Sequence, residues 1–353
     1  MKNYTSIILF LLLCIFCQVS YAQDEKKTDP DQKVTPLFSS DKAVPVKLDF
    51  SIKEIKKQTN DSTYVETIMG YASPDGTWSD INTKLRVRGY FRLSRCTFPP
   101  VKLKIKKEDR KNTLFEGNKE LKLVLQCSTK KGAEDYIIKE YMAYKLYELI
   151  SDYHYKTRLA DVSLTDSKDS KGKSYQLNGF FIEDIQKVAK RFDGEVMKRS
   201  IHPMAQDPME SVHNSFFQYM IGNTDFSTYA QHNEKLIYVN KNIIPLPYDF
   251  DMSGLVNASY AAVSEKIEES SNISSVRDRL YRGFKRDAEI IAQVRQEFLD
   301  NQNKMMEVID GLEPLFEDPK NFSEARKYIV EFFEVMSDDK LFHKEITRNL
   351  RTN

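Results

Sequence analysis

The sequence predicts an α+β protein of two lobes, a β-rich one followed by a mostly helical one. Three observations carry that expectation. From Val44 to Cys127, apolar residues sit in short β-prone runs separated by Asn, Asp, Gly and Pro. From Glu134 the apolar spacing turns helical, and after Ser264 nearly every stretch reads as helical and charged.

The elements follow in order. Residues 1–22 contain Lys2, an apolar run from Ile7 to Cys17, and small or polar residues ending at Ala22. This is the pattern of a secretory signal peptide cleaved between Ala22 and Gln23. The run is short for a membrane span, and Phe16 before Cys17 lacks the small residue of a lipoprotein signal. The expectation is export to the periplasm or the medium, with no membrane span. Residues 23–43, polar, charged and Pro-containing, read as a flexible leader.

The β-rich lobe, residues 44–185, then opens with "VKLDFSI", "TYVETIMGYA", "TKLRVRGYFRL", "VKLKIKK" and "LKLVLQC". The helical run "EDYIIKEYMAYKLYELISDY" follows, with apolar residues at Ile137, Ile138, Tyr141, Met142, Tyr144, Leu146 and Leu149. "RLADVSLTD" and "SYQLNGFFIED" form a hairpin around a polar tip. The second lobe, residues 186–353, holds the helix "ESVHNSFFQYMIG", two short strands "KLIYV" and "NIIPL", and the C-terminal helices. A β lobe with one packed helix joined to a helical lobe resembles protein-kinase architecture.

With 53 basic and 52 acidic residues, gross charge makes no case for nucleic acid or an anionic membrane as partner. Once Cys14 and Cys17 leave with the signal, Cys96 and Cys127 remain. In an exported protein they are expected to bridge, the alternative being two buried thiols.

The stretch "IGNTDFSTYAQHNEKLIYVNKNIIPLPYDFDMSG" crowds Asn223, Asp225, His232, Asn233, Asp249 and Asp251 onto the ends of two strands. Taken singly, each suits a turn or a cap. Together they fit phosphoryl transfer, which needs a carboxylate to orient or deprotonate the accepting hydroxyl. It also needs a carboxylate and an amide oxygen to hold Mg²⁺ on nucleotide phosphates. Asp225 in its loop can supply the first. Asn233 opens one strand and Asp249 ends the next, and a hairpin would return Asp249 towards Asn233.

On these residues the chain resembles the spore coat protein H (CotH) family of secreted atypical kinases, in the version found in exported Bacteroidetes-type proteins. The resemblance extends upstream through "LRVRGYFRLSRCTFPPVKLKIKK", "IIKEYMAYKLYELI" and "GFFIEDIQKVAKR", covering about residues 84–262. It implies a two-lobed kinase-like fold. It also implies an enzyme that moves phosphate from ATP, with Mg²⁺ or Mn²⁺, to a hydroxyl on a protein or small molecule.

Residue by residue, the resemblance makes Asp225 catalytic and Asn233 a metal ligand with His232 in support. Asp249 becomes the metal-binding aspartate, and Asp251 a second ligand or an orienting residue. Glu140 would pair with a strand lysine: Lys104 matches best, with Lys102 and Lys122 as the other candidates. No Gly-x-Gly-x-x-Gly loop is present, so Arg88, Gly89 and nearby basic side chains would grip phosphates.

Two other readings stand beside this one. The first is a kinase-fold binding protein without turnover, at the cell surface or in the periplasm. The second is a metal-dependent phosphohydrolase using Asp249 and Asp251. "KLKIKKEDRK" reads as a solvated strand edge that could touch phosphates. Arg277, Arg279, Arg282 and Arg286 read as a salt-bridged helix face, and the remaining histidines show no zinc spacing.

Overall fold

The computed structural model describes residues 33–57, 62–168, 172–271 and 273–352. The expected signal peptide, and the expected leader as far as residue 32, lie outside the described residues. Residues 34–353 form a single compact unit.

Period-two alternation decides the first half. The strands are β1 Val44–Asp49, β2 Val65–Ala72, β3 Trp78–Val87, β4 Val101–Ile105, β5 Glu120–Leu125, β6 Thr157–Thr165 and β7 Ser174–Ile182. They close into a seven-stranded barrel of order β1-β2-β3-β4-β5-β7-β6. Neighbours are antiparallel except at the closure, where β1 runs parallel to β6 with Val46 opposite Val162. Alternate residues such as Val46, Leu48, Leu85, Leu103, Leu121, Leu123 and Phe181 fill the interior. The end of the expected leader joins this core, since Pro36–Phe38 forms a 3₁₀ turn that buries Leu37 and Phe38. Arg158 fixes it by donating to the carbonyls of Leu37 (2.9 Å) and Lys42 (2.7 Å).

The barrel overturns the two-lobed, protein-kinase-like expectation, whose first lobe is a β-sheet with one packed helix. Each strand was legible locally, but the closing pair joins segments more than a hundred residues apart, which no local pattern reports. A related correction concerns "KLKIKK". Strand β4 is bonded on both sides, to β3 and β5, so its lysines do not line a sheet edge.

A second core lies against the outside of β5 and β7. Val124, Phe180 and Ile182 point out of the barrel into it, while Leu123, Leu125 and Phe181 point in. The helix Ala133–Glu148 is buried on most of its surface because the barrel covers one side and the C-terminal helices another. The helices Pro208–Met220, Ala288–Asp300, Gln302–Gly311, Pro319–Ser337 and Asp339–Glu345 complete this layer. So does the small sheet of β8 Glu195–Met197, β9 Glu234–Val239 and β10 Asn242–Pro247. The stretch 273–287, expected to be helical, contains no helix. Among the described residues no helix is long and apolar enough to cross a membrane.

Candidate functional site

Two loops meet because two glycines let them. The helix Pro208–Met220 starts cleanly, Asp207 accepting from the Glu210 amide with Pro208 in the first turn. It stops at Gly222, whose φ of 61° favours glycine. A Cβ there would stand 1.9 Å from the Tyr328 hydroxyl, and one on Gly254 would stand 2.4 Å from the same oxygen. Without those Cβ atoms, the Gly254 amide donates to the Gly222 carbonyl (3.0 Å) and the Leu255 amide to that of Ile221 (2.9 Å). The Asp225 loop and the loop carrying Asp249 and Asp251 are thereby stitched backbone to backbone.

Behind the stitch, the Tyr328 hydroxyl donates to the Arg277 carbonyl (3.1 Å), and the Arg279 guanidinium lies 3.7 Å from its ring centroid. Arg279 also donates to the carbonyls of Met220 and Tyr328. Arg282 donates to those of Thr224 (2.7 Å) and Phe226 (2.6 Å), either side of Asp225. Arg286 reaches the carbonyls of Pro203, Met204 and Gln206. The expected helix face of arginines is instead a set of clamps on loop carbonyls. Isolated charge spacing could not distinguish the two.

Asp225 is held by three side chains, those of Asn223, His232 and Asn233. Asn223, buried and donating to Gln218 (2.9 Å), accepts from the Asp225 amide (3.0 Å). The Asp225 carboxylate meets His232 Nε2 at 3.1 Å on Oδ1 and accepts from Asn233 Nδ2 at 3.0 Å on Oδ2. Burial pushes the Asp225 carboxyl up, and the Asp249 charge adds to this, while His232 and Asn233 oppose it. The loop between is pinned by the reciprocal bonds of Ser227 and His232.

The hairpin does what its sequence predicts. Residues Asn240 and Lys241, both with positive φ, turn the chain, and Val239 faces Asn242 while Glu234 faces Pro247. That register sets Asn233 beside Tyr248, whose amide donates to the Asn233 carbonyl (3.0 Å), so Asp249 emerges next to Asn233. Asn233 and Asp249 both adopt left-handed backbone, φ 52° and 66°, a conformation that stores strain and gathers at functional sites. The Asp249 amide donates to the buried Tyr144 hydroxyl (3.0 Å), and its carboxylate lies 3.7 Å from Arg88.

Below them lies a buried ionic cluster. Arg92, on the short helix Tyr90–Arg95, stands 3.6 Å from Glu140 and 3.9 Å from Asp251, and donates to the Leu125 carbonyl (2.6 Å). Tyr260 donates to Asp251 (3.1 Å). Burial, then the Asp251 charge, holds Glu140 well above the usual carboxylate range. Burial, then Asp249, pushes Asp251 up to about 6. Cys96, next to this helix, is disulfide-bonded to Cys127 at the end of β5.

Glu140 thus pairs with Arg92 and not with a strand lysine. Lys102 pairs with Glu120, and Lys104 faces the Tyr64 ring at 5.6 Å on the outer barrel face. Lys122 is the strand lysine that shares surroundings with Arg88 and Asp249. Its ammonium lies 4.3 Å from the Tyr248 ring centroid, and burial followed by the Arg88 charge lowers its pKa to about 7. Local spacing does not mark Arg92, Tyr260 or Tyr328, and it reads Tyr144 only as part of the helix's apolar face, because each acts on residues far along the chain.

Among the described residues no three His, Cys, Asp or Glu side chains group so as to hold a metal ion. The mutual repulsion of Asp225, Asp249 and Asp251 is nevertheless what a divalent cation would relieve. No protein-family model matches the chain, and no curated protein matches it.

Proposed function

We propose that this site binds ATP with Mg²⁺ or Mn²⁺ and transfers the terminal phosphoryl group to a hydroxyl of a protein or small molecule. The observation that carries the reading is that Asp249, coupled to the Asp225–His232–Asn233 network, faces Arg88 with Lys122 in the same surroundings. It is the activity that the resemblance to CotH kinases implies, carried here on a barrel and helical layer in place of a kinase fold.

Asp225 orients the acceptor hydroxyl and takes its proton as the oxygen attacks the terminal phosphorus. The bond from that phosphorus to the bridging oxygen breaks, and ADP leaves. Its carboxyl, raised by burial, suits a group that accepts a proton. Arg88 and Lys122 hold phosphate oxygens, and a phosphate beside Lys122 would restore its full charge. Arg92 keeps Asp251 and Glu140 placed beneath Asp249. Magnesium is usually held by one or two carboxylates plus substrate phosphates, so Asp249 and the Asn233 amide oxygen are a sufficient protein donor set. Bound there, the ion would neutralise phosphate charge. The reading takes this activity to be outside the cytoplasm, in the periplasm or the medium, because residues 1–22 have the pattern of a secretory signal.

A second reading has its own support. Each carboxylate already faces a cation or donor within the chain: Asp249 with Arg88, Asp251 with Arg92 and Tyr260, Asp225 with His232. Such a site suits a binding protein without turnover.

Calorimetric titration of the chain from Gln23 with ATP and Mg²⁺ tests the first reading, with Asp249→Asn alongside. Metal-dependent binding that the variant loses supports it, and phosphate transfer to water or an added hydroxyl then separates turnover from binding. Absence of binding at millimolar ATP overturns it.

A further inference from the structure

The outer face of β3–β5 carries a block of cations of which the candidate site takes only Lys122. The register sets Arg86 opposite Lys102 and Lys102 opposite Lys122. One rung along, Lys84 is opposite Lys104 and Lys104 opposite Glu120. Arg86–Lys102 and Lys84–Lys104 are like-charge pairs across the ladder, an arrangement that costs stability. Lysines on strands commonly guard an exposed edge, but β4 is bonded on both sides and the barrel is closed. Local acids compensate only in part: Glu66 reaches Lys84, Glu120 reaches Lys102, and Glu108 and Asp109 line the hollows beside the stripe. The stripe adjoins two hollows of about 430 and 830 Å³ that share Lys84, Lys104, Lys106 and Glu108. The first adds Glu66 and Asp109, which balance its lysines, whereas the second adds Lys107, Arg110 and Lys119 and is strongly cationic.

We propose that this face binds an anionic polysaccharide, a sugar chain bearing sulfate or carboxylate groups. With 53 basic and 52 acidic residues in the chain, the concentration of cations is local and not a property of the whole surface. Cations stand ~4.8 Å apart across the strands and ~6.8 Å apart along them, a grid that meets a chain of repeated anions at several points. Lysine ammonium groups on flexible stems are point charges, suited to anions whose orientation varies along a sugar chain. An acidic peptide adding as a strand requires a sheet edge, which the closed barrel lacks. Single-stranded nucleic acid requires aromatic platforms, and the Tyr64 ring here already faces Arg86 and Lys104.

The test is titration of the whole chain with heparin and with polygalacturonate, which separates sulfate from carboxylate recognition. Lys84→Gln, Lys104→Gln and Lys106→Gln are combined in one variant. A second variant of equal charge combines Lys320→Gln, Lys327→Gln and Lys344→Gln on the C-terminal helices. The first is expected to bind the preferred polymer about tenfold more weakly, and the second to bind as the parent does. In the parent, bound polymer should also shield Lys84, Lys104 and Lys106 from acetylation read by mass spectrometry, a measurement that needs no variant to fold. Equal weakening in both variants, absence of shielding, absence of binding, or equally tight binding of polyglutamate or oligothymidylate would each overturn the proposal.

Discussion

Replacing Gly222 by Ala puts a Cβ 1.9 Å from the Tyr328 hydroxyl, on a residue whose φ is 61°. Two costs add. The left-handed backbone disfavours a Cβ by about 1 kcal/mol, and overpacking against a buried ring costs about 1–3 kcal/mol. Because the hydroxyl is also bonded to the Arg277 carbonyl, the ring cannot retreat without losing that bond. Gly222→Ala should therefore destabilise by about 2–4 kcal/mol in urea denaturation followed by circular dichroism.

The distinguishing experiment is the double-mutant cycle with Tyr328→Phe. Removing the hydroxyl leaves the ring Cζ, 3.0 Å away, as the nearest atom, so most of the clash disappears while the backbone cost stays. The double variant should be more stable than the sum of the singles by about 1–3 kcal/mol. If the two changes simply add, the Tyr328 hydroxyl is not the wedge that seats the two loops, and the account of how Asp225 meets Asp249 fails. The cycle reads stability alone, so it holds whatever ligand the site takes.

Two further predictions concern the charges around that junction. Arg92→Leu removes the cation beside the buried Glu140 and Asp251 and should cost about 3 kcal/mol at neutral pH. Because both carboxyls are raised, Asp251 to about 6, the deficit should shrink as pH falls below about 6 and Asp251 protonates; a constant deficit would contradict the pairing. Lys122 titrates near 7 when folded against an ordinary value of 10.5, so between those values the unfolded chain holds the extra proton and stability rises with pH. Lys122→Met should abolish that rise, and denaturation midpoints that run parallel from pH 7 to 10 in both proteins would refute it.

What could be read from the chain alone was local. Alternation in "VKLDFSI" and "VKLKIKK" marked strands, helical spacing marked Ala133–Glu148, and the two short runs after His232 formed the hairpin that their turn residues dictate. Asn233 and Asp249 come together for that reason, because a tight turn fixes register within a few residues. The expected two-lobed kinase-like fold failed where a long-range contact decided it. Parallel pairing of β1 with β6 closes the barrel, and nothing within either strand encodes its partner.

The same limit explains the site's misread pairings. Glu140 was matched to a lysine on a strand, but the cation beside it comes from the helix Tyr90–Arg95. Arginines at Arg279, Arg282 and Arg286 carry a spacing that suggests a helix, yet Arg279 and Arg282 are drawn to carbonyls on either side of Gly222, and Arg286 to those of the turn at 203–206. Sequence determined which backbone segments repeat with which period, since that depends on neighbours two to four residues away. Only the tertiary structure decided which charge faces which, because buried charges pair with whatever the packing brings near, at any distance along the chain.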